Sequence, residues 1–157
     1  MYHGRLRISI RPYQPSDLEA CRALWVELTH HHHQLYNDPT IGGDDPGSNF
    51  DRHLERVGMG RIWVAEKDKK VIGMVGLLIY AQEAEVEPMI VSRRYRRKGV
   101  GERLLRRAVA EARQLNVRYL NVRPVARNVD AMMFFFQVGF RLLGKPELFM
   151  DLEQPVG

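Results

Sequence analysis

The chain has 157 residues, 45% of them hydrophobic and 27% charged, a length and composition that predict one folded domain over residues 1–157 and exclude disorder. Its net charge is +5, from 24 basic and 19 acidic residues, and no stretch approaches the roughly 20 apolar residues of a membrane span. The single cysteine, Cys21, excludes an intrachain disulfide framework, and Met1–Leu6 lacks the apolar centre of a secretory signal, so the expectation is a soluble, cytoplasmic protein.

Leu6–Arg11 alternates apolar and polar residues, which predicts a half-buried strand. Ser16 and Glu19 read as a capping box opening a helix. Leu18, Cys21, Leu24, Trp25 and Leu28 share one face of it, and it runs to about His31. His30–His33 are four consecutive histidines. On a helix they point all round and cannot converge on one ion, so no metal site is predicted. Asn37–Gly47 is a turn-rich loop, and Ser48 with Asp51 caps a short helix to about Val57. Arg61–Glu66 and Val71–Tyr80 flank a polar turn and predict an antiparallel hairpin. Gly73 and Gly76 point to a bulge or a close backbone approach.

Ala84–Ser92 reads as a strand made irregular by Pro88. A helix begins near Val100, with an apolar stripe from Val100 through Leu104, Leu105, Ala108 and Ala112 to Leu115. Tyr119–Val122 is a strand. Asn128 or Asp130 opens a last helix to about Val138, closed by Gly139. Phe140–Leu143 and Leu148–Leu152 read as terminal strands around a Lys145–Pro146 turn. The predicted fold is α/β (α+β), a mixed and mostly antiparallel sheet of six or seven strands flanked by four helices.

Charge is unevenly spread. Arg93–Arg127 holds twelve Lys/Arg and two acids, whereas Tyr13–Gly58 holds three Arg and eight acids. The basic half invites a polyanion, either nucleic acid or a phosphorylated cofactor. Its centre is a strand, a glycine-containing basic loop and a helix start, Glu87–Gly101. Free amides at a helix N-terminus make an anion site. Gly99 and Gly101 let the backbone approach a phosphate, and Arg96, Arg97 and Lys98 add charge. The Walker and Rossmann glycine patterns are both absent.

Arg96-x-x-Gly99-x-Gly101 resembles the Gln/Arg-x-x-Gly-x-Gly/Ala signature of the GCN5-related N-acetyltransferases, the GNAT superfamily. Asn128-x-x-Ala131-x-x-Phe134-Phe135-x-x-x-Gly139-Phe140 is similar to that family's second motif, and the element order also agrees over about residues 6–152. The resemblance implies a GNAT-like acyl-CoA N-acyltransferase fold and an acyltransferase moving acetyl from acetyl-CoA to an amine. It implies that the amides of Arg97, Lys98, Gly99, Val100, Gly101 and Glu102 hold the CoA pyrophosphate. Met89, Ile90 and Val91 would pair with the pantetheine arm, an amide near Ile90 would serve as oxyanion donor, and Asn128 with its helix would contact the sulfur end.

An ammonium must lose a proton before it attacks a thioester, so a base or a water path is needed. Glu87 is the leading candidate, with Glu85 second and His31–His33 weaker. Two nearby carboxylates raise one pKa. The family's usual Tyr acid is replaced by Phe135, which cannot donate a proton. The acids Asp38, Asp44, Asp45, Glu83, Glu85 and Glu87 predict a cationic amine acceptor. A homodimer is expected by analogy with the family alone. The alternatives are a non-catalytic CoA-binding or sensing protein, or, less favoured, a nucleic-acid binder using Arg93–Arg127, which would bind in a salt-dependent way.

Overall fold

The computed structural model describes residues 7–153. Among them five strands, β1 Ser9–Pro12, β2 Ile62–Lys67, β3 Lys70–Tyr80, β4 Glu83–Val91 and β5 Tyr119–Val122, form one sheet in chain order. The α-helices are α1 Leu18–Tyr36, α2 Ser48–Val57, α3 Val100–Gln114 and α4 Val129–Val138. β1 to β4 pair antiparallel and β5 joins β4 in parallel, which gives the mixed, mostly antiparallel sheet read from the sequence.

Period-two alternation divides the core. Ile62 and Val64 of β2 face α1 and α2, where they meet Cys21, Leu24 and Phe50. Trp63 and Ala65 face α3, where they meet Leu104, Leu105 and Ala108. The sheet therefore lies between two helical layers and buries apolar surface on both faces. Each fully buried side chain of this kind contributes about 1.5–3 kcal/mol. The β2–β3 turn works because Asp68 and Lys69 both take left-handed φ, 49° and 64°, the twist that a two-residue hairpin needs.

Several boundaries differ from the sequence reading, and Leu6 lies outside the described residues. α1 starts after Asp17, not Ser16. The Asp17 carboxylate accepts hydrogen bonds from Gln14 N at 2.8 Å and from both terminal nitrogens of Arg11 at 2.8 and 2.9 Å. α1 continues to Tyr36 because nothing in His30–Gln34 breaks a helix, and it stops at Asn37, whose φ of 52° is left-handed. Gly47, not Ser48, caps α2. Ser48 Oγ instead donates to Asp45 O at 2.7 Å, and Asp51 takes Arg22 Nε at 2.8 Å.

The terminal strands do not form among the described residues, so the sheet has five strands rather than six or seven. After Gly139 closes α4, Phe140 N donates to Phe135 O at 3.0 Å and the chain leaves the sheet. Residues 140–152 are rich in apolar side chains, but a strand is stabilised by its neighbour, and these residues have none among the described residues.

Two features of β4 position the site. Val75 pairs with Met89 and Leu77 with Val86, so Gly76 stands opposite both Glu87 and Pro88, a bulge. A Cβ on Gly76 would run into the Glu87 carbonyl oxygen, so only glycine fits there. On the other side, β4 pairs with β5 only from Glu83 to Val86. Beyond Glu87 the two strands part.

Candidate active site

The loop after β4 is built to leave amides free. Tyr95 N and Arg96 N are satisfied by Ser92 O at 2.8 Å and Arg93 O at 3.4 Å. Arg97 and Gly99 then take left-handed φ, 61° and 81°. The N–H groups of Gly99, Val100, Gly101 and Glu102 have no hydrogen-bond partner among the described residues, and no side chain caps α3. Regular bonding resumes at Arg103 N, which donates to Gly99 O at 3.2 Å. Unpartnered amides behind a left-handed turn, at the positive end of a helix of this length, form an anion-binding concavity. The space beside Gly99 is open, whereas a Cβ on Gly101 would meet Met89, Phe134 and Val91. Gly101 thus lets α3 pack against the end of β4 and against α4.

The basic side chains divide by role. Arg96 Nε donates to Val91 O at 3.1 Å, and its Nη2 lies 3.9 Å from Glu27 Oε1, which also accepts Arg93 N at 2.5 Å. Arg96 therefore ties the loop to β4 and α1. Arg97 reaches Asp130 at 3.5 Å across open solvent, and Lys98 lies over the Tyr95 ring at 5.8 Å. Glu102 pairs with Arg106 at 2.5 Å. Elsewhere in the basic half, Arg103 bonds Ile8 O, Arg107 lies on Trp63, and Arg127 lies on Tyr36. Many of these charges are engaged within the fold and do not form one exposed polyanion track.

The sequence-predicted β4 residues gather beside this loop. Met89 and Val91 face α3, and Ile90 is buried on the opposite face. Asn128 caps α4, its Oδ1 accepting Ala131 N at 3.1 Å. The Phe135 ring is buried in the core, edge-on to Phe134 and Phe140 with centroids 5.1 and 5.5 Å away.

Glu87 and Glu85 lie toward α1 and α2. Glu87 is partly open, with Oε1 4.0 Å from His53 Nδ1. Glu85 is buried, and Arg123 Nε approaches its Oε1 to 2.7 Å without hydrogen-bond alignment. Burial raises the Glu85 pKa above the usual carboxylate range, hydrogen bonding to Glu87 adds to this, and Arg123 opposes it. A hollow of about 230 Å³, lined by Arg56, Val57, Arg61 and Leu77–Tyr80, opens one strand away from Glu85.

His53 was not singled out in the sequence. It is buried, neither ring nitrogen has a hydrogen-bond partner among the described residues, and its ring lies 5.3 Å from Trp25. Burial lowers its pKa and favours the neutral imidazole. The available signal was a histidine on an apolar stripe, because Phe50, His53 and Val57 share one face of α2. The histidine run is placed otherwise. His33 Nε2 lies 2.6 Å from Ile41 O and ties the end of α1 to the following loop. Among the described residues no group of three or more His, Cys, Asp or Glu could hold a metal.

Solved structures share this architecture at identities such as 15–21%. The GNAT-family acetyltransferase of Staphylococcus aureus MU50 superposes with a TM-score of 0.71 at 18% identity, over 85% of this chain and 84% of that one. The PaiA N-acetyltransferase of Thermoplasma acidophilum, solved with coenzyme A, gives 0.73 at 20% over 88% and 92%. AAC(6')-Iy, solved with a CoA-S-monomethyl-acetylneamine bisubstrate analogue, gives 0.68 at 17% over 92% and 98%. No curated protein matches the sequence. The family model for the GNAT acetyltransferases matches residues 19–140, and with both motifs and the split sheet in place the chain belongs to that family.

Proposed function

We propose that the chain transfers an acetyl group from acetyl-CoA to a cationic primary amine, with Glu87 as the base. The observation that carries this reading is the row of free amides from Gly99 to Glu102 at the point where β4 and β5 part. The chain's own groups fit the cosubstrate. The amides and the end of the α3 dipole suit a diphosphate, with Arg97 and Lys98 beside them. The unpaired flank of Met89–Val91 suits an extended amide-bearing arm, which would add to the sheet as a strand does.

Acetyl-CoA supplies the activated acyl carbon. The ammonium first gives one proton to Glu87 directly or through a water; the neutral amine nitrogen then bonds to that carbon as the C–S bond breaks, and the proton the nitrogen sheds passes to the departing CoA thiolate. The CoA thiol has an ordinary pKa of about 8.5, so the thiolate leaves without a protein acid. That fits Phe135, which stands at the family's Tyr position and offers no proton. Burial raises the pKa of Glu85, and Glu87 is the more open of the two carboxylates.

The test is acetyl-CoA turnover with a panel of amines. Glu87→Gln is expected to lower kcat by about 10²–10⁴-fold with acetyl-CoA affinity unchanged. A fully active variant would remove Glu87 as base. A preference for neutral or acidic amines would remove the cationic acceptor.

A further inference from the structure

The hollow of about 230 Å³ lies where β3 outruns β2. β2 begins at Ile62, opposite Gly76, so Leu77–Tyr80 pair with β4 alone. The space beside them is walled by Arg56 and Val57 at the end of α2, and by Arg61 of the short turn that follows. Arg56 and Arg61 are both exposed. Among the described residues neither guanidinium is paired with a carboxylate, and Arg56 Nη2 donates to the Tyr80 hydroxyl at 3.4 Å. Two guanidinium forks and a phenol around one hollow are the donors that an oxyanion takes.

This hollow shares a sheet face with the candidate base. Leu78 packs into the α1–α2 layer, and its register partner on β4 is Glu85. Side chains two residues apart along a strand lie on one face, so Tyr80 and its partner Glu83 belong to that face as well. Burial governs the pKa of His53 and of Glu85, and the charge of Arg56 is close enough to act on each too. From Leu78, the backbone of Glu87 lies one strand across and two residues along, about 8 Å away. An acceptor whose ammonium reaches Glu87 therefore extends toward an anion site at its other end.

The length and the charge narrow the class. The span between the two sites is close to that of a lysine stem. On the β4 side the acceptor meets Glu83, Glu85 and Glu87, which favours a ligand that stays a net cation. One carboxylate offsets only one of two ammonium groups and leaves such a cation. A phosphate monoester carries up to about two negative charges and would not.

We propose that the acceptor is a basic α-amino acid, held by its carboxylate at Arg56, Arg61 and the Tyr80 hydroxyl, with its side-chain ammonium at Glu87. This rests on the reading of Glu87 as the base, and it states what the cationic amine carries at its other end.

Acetyl-CoA turnover of lysine, lysinamide and cadaverine by the full-length chain tests this. All three are cationic amines of one stem length, and only lysine carries the carboxylate. The kcat/KM for lysine is expected to exceed that for either of the others at least about tenfold, with the acetyl group on the side-chain nitrogen. R56Q/R61Q alters two exposed side chains and is expected to abolish the preference for lysine over lysinamide. Equal turnover of the three amines, a preference that survives R56Q/R61Q, or acetylation of the α-nitrogen would overturn the anion subsite and leave Glu87 and the cationic acceptor standing. A chain that binds acetyl-CoA and acetylates none of the three would overturn the amino-acid class. A chain that does not bind acetyl-CoA would remove the acetyl-transfer reading itself, and the subsite with it.

Discussion

A carboxylate takes a proton from an ammonium only if it is both charged and reachable, and the two glutamates of β4 differ in this respect. Glu85 is buried, which raises its pKa, whereas Glu87 is partly open with His53 4.0 Å away. His53 meets no other polar partner, so an apolar ring of similar shape should be tolerated. His53→Phe is expected to fold with unchanged or higher melting temperature at pH 7. Its kcat should fall about tenfold if the imidazole steers Glu87; unchanged turnover would make His53 a packing residue. The pH dependence of stability has a definite sign. The folded-state pKa of His53 lies below its ordinary value near 6.5, so the unfolded chain binds the proton more readily. Stability is full above pH about 6.5 and declines as pH falls toward the folded-state value. The Phe variant should lose that part of the decline, which melts between pH 5 and 7 would reveal.

At the scale of elements, the site depends on two departures from regular backbone. The bulge opposite Gly76 shifts the register at the end of β4, and the left-handed Arg97 and Gly99 precede four amides without a partner among the described residues. Gly76→Ala drives a methyl into the Glu87 carbonyl. It is expected to cost about 1–3 kcal/mol, lower the melting temperature by about 3–10 °C, and reduce turnover by displacing Glu87. A variant with wild-type stability and activity would contradict the bulge geometry. The strand–loop–helix signal was legible because it is local: glycine spacing, a proline and a one-sided apolar stripe all fall within about thirty residues. α4 was equally legible, since Asn128 caps it and Gly139 closes it. The end of α1 was not, because the histidine run contains no stop and only the left-handed Asn37 supplies one. Arg96 reads as a phosphate ligand in sequence, yet its guanidinium holds the Val91 carbonyl, a contact that no spacing rule predicts.

In the whole molecule, a sheet flanked by helices was legible from the element order and the one-sided helical stripes, and the unbroken apolar run Ile62–Ala65 of β2 is what burial on both faces produces. What such patterns do not state is the partner. Residues 140–152 are rich in apolar side chains, but pairing requires a neighbour that the pattern cannot name. The approach of His53 to Glu87 joins residues far apart in sequence and is equally silent. In the proposed reaction the free amides beyond Gly99 hold the phosphates of acetyl-CoA. Isothermal titration of acetyl-CoA into the full-length chain, beside 3′-dephospho-CoA and a DNA duplex, tests it most directly. Saturable binding of one acetyl-CoA per chain, with DNA producing no comparable heat, is the predicted result. No acetyl-CoA binding, or salt-sensitive DNA binding in its place, would contradict it.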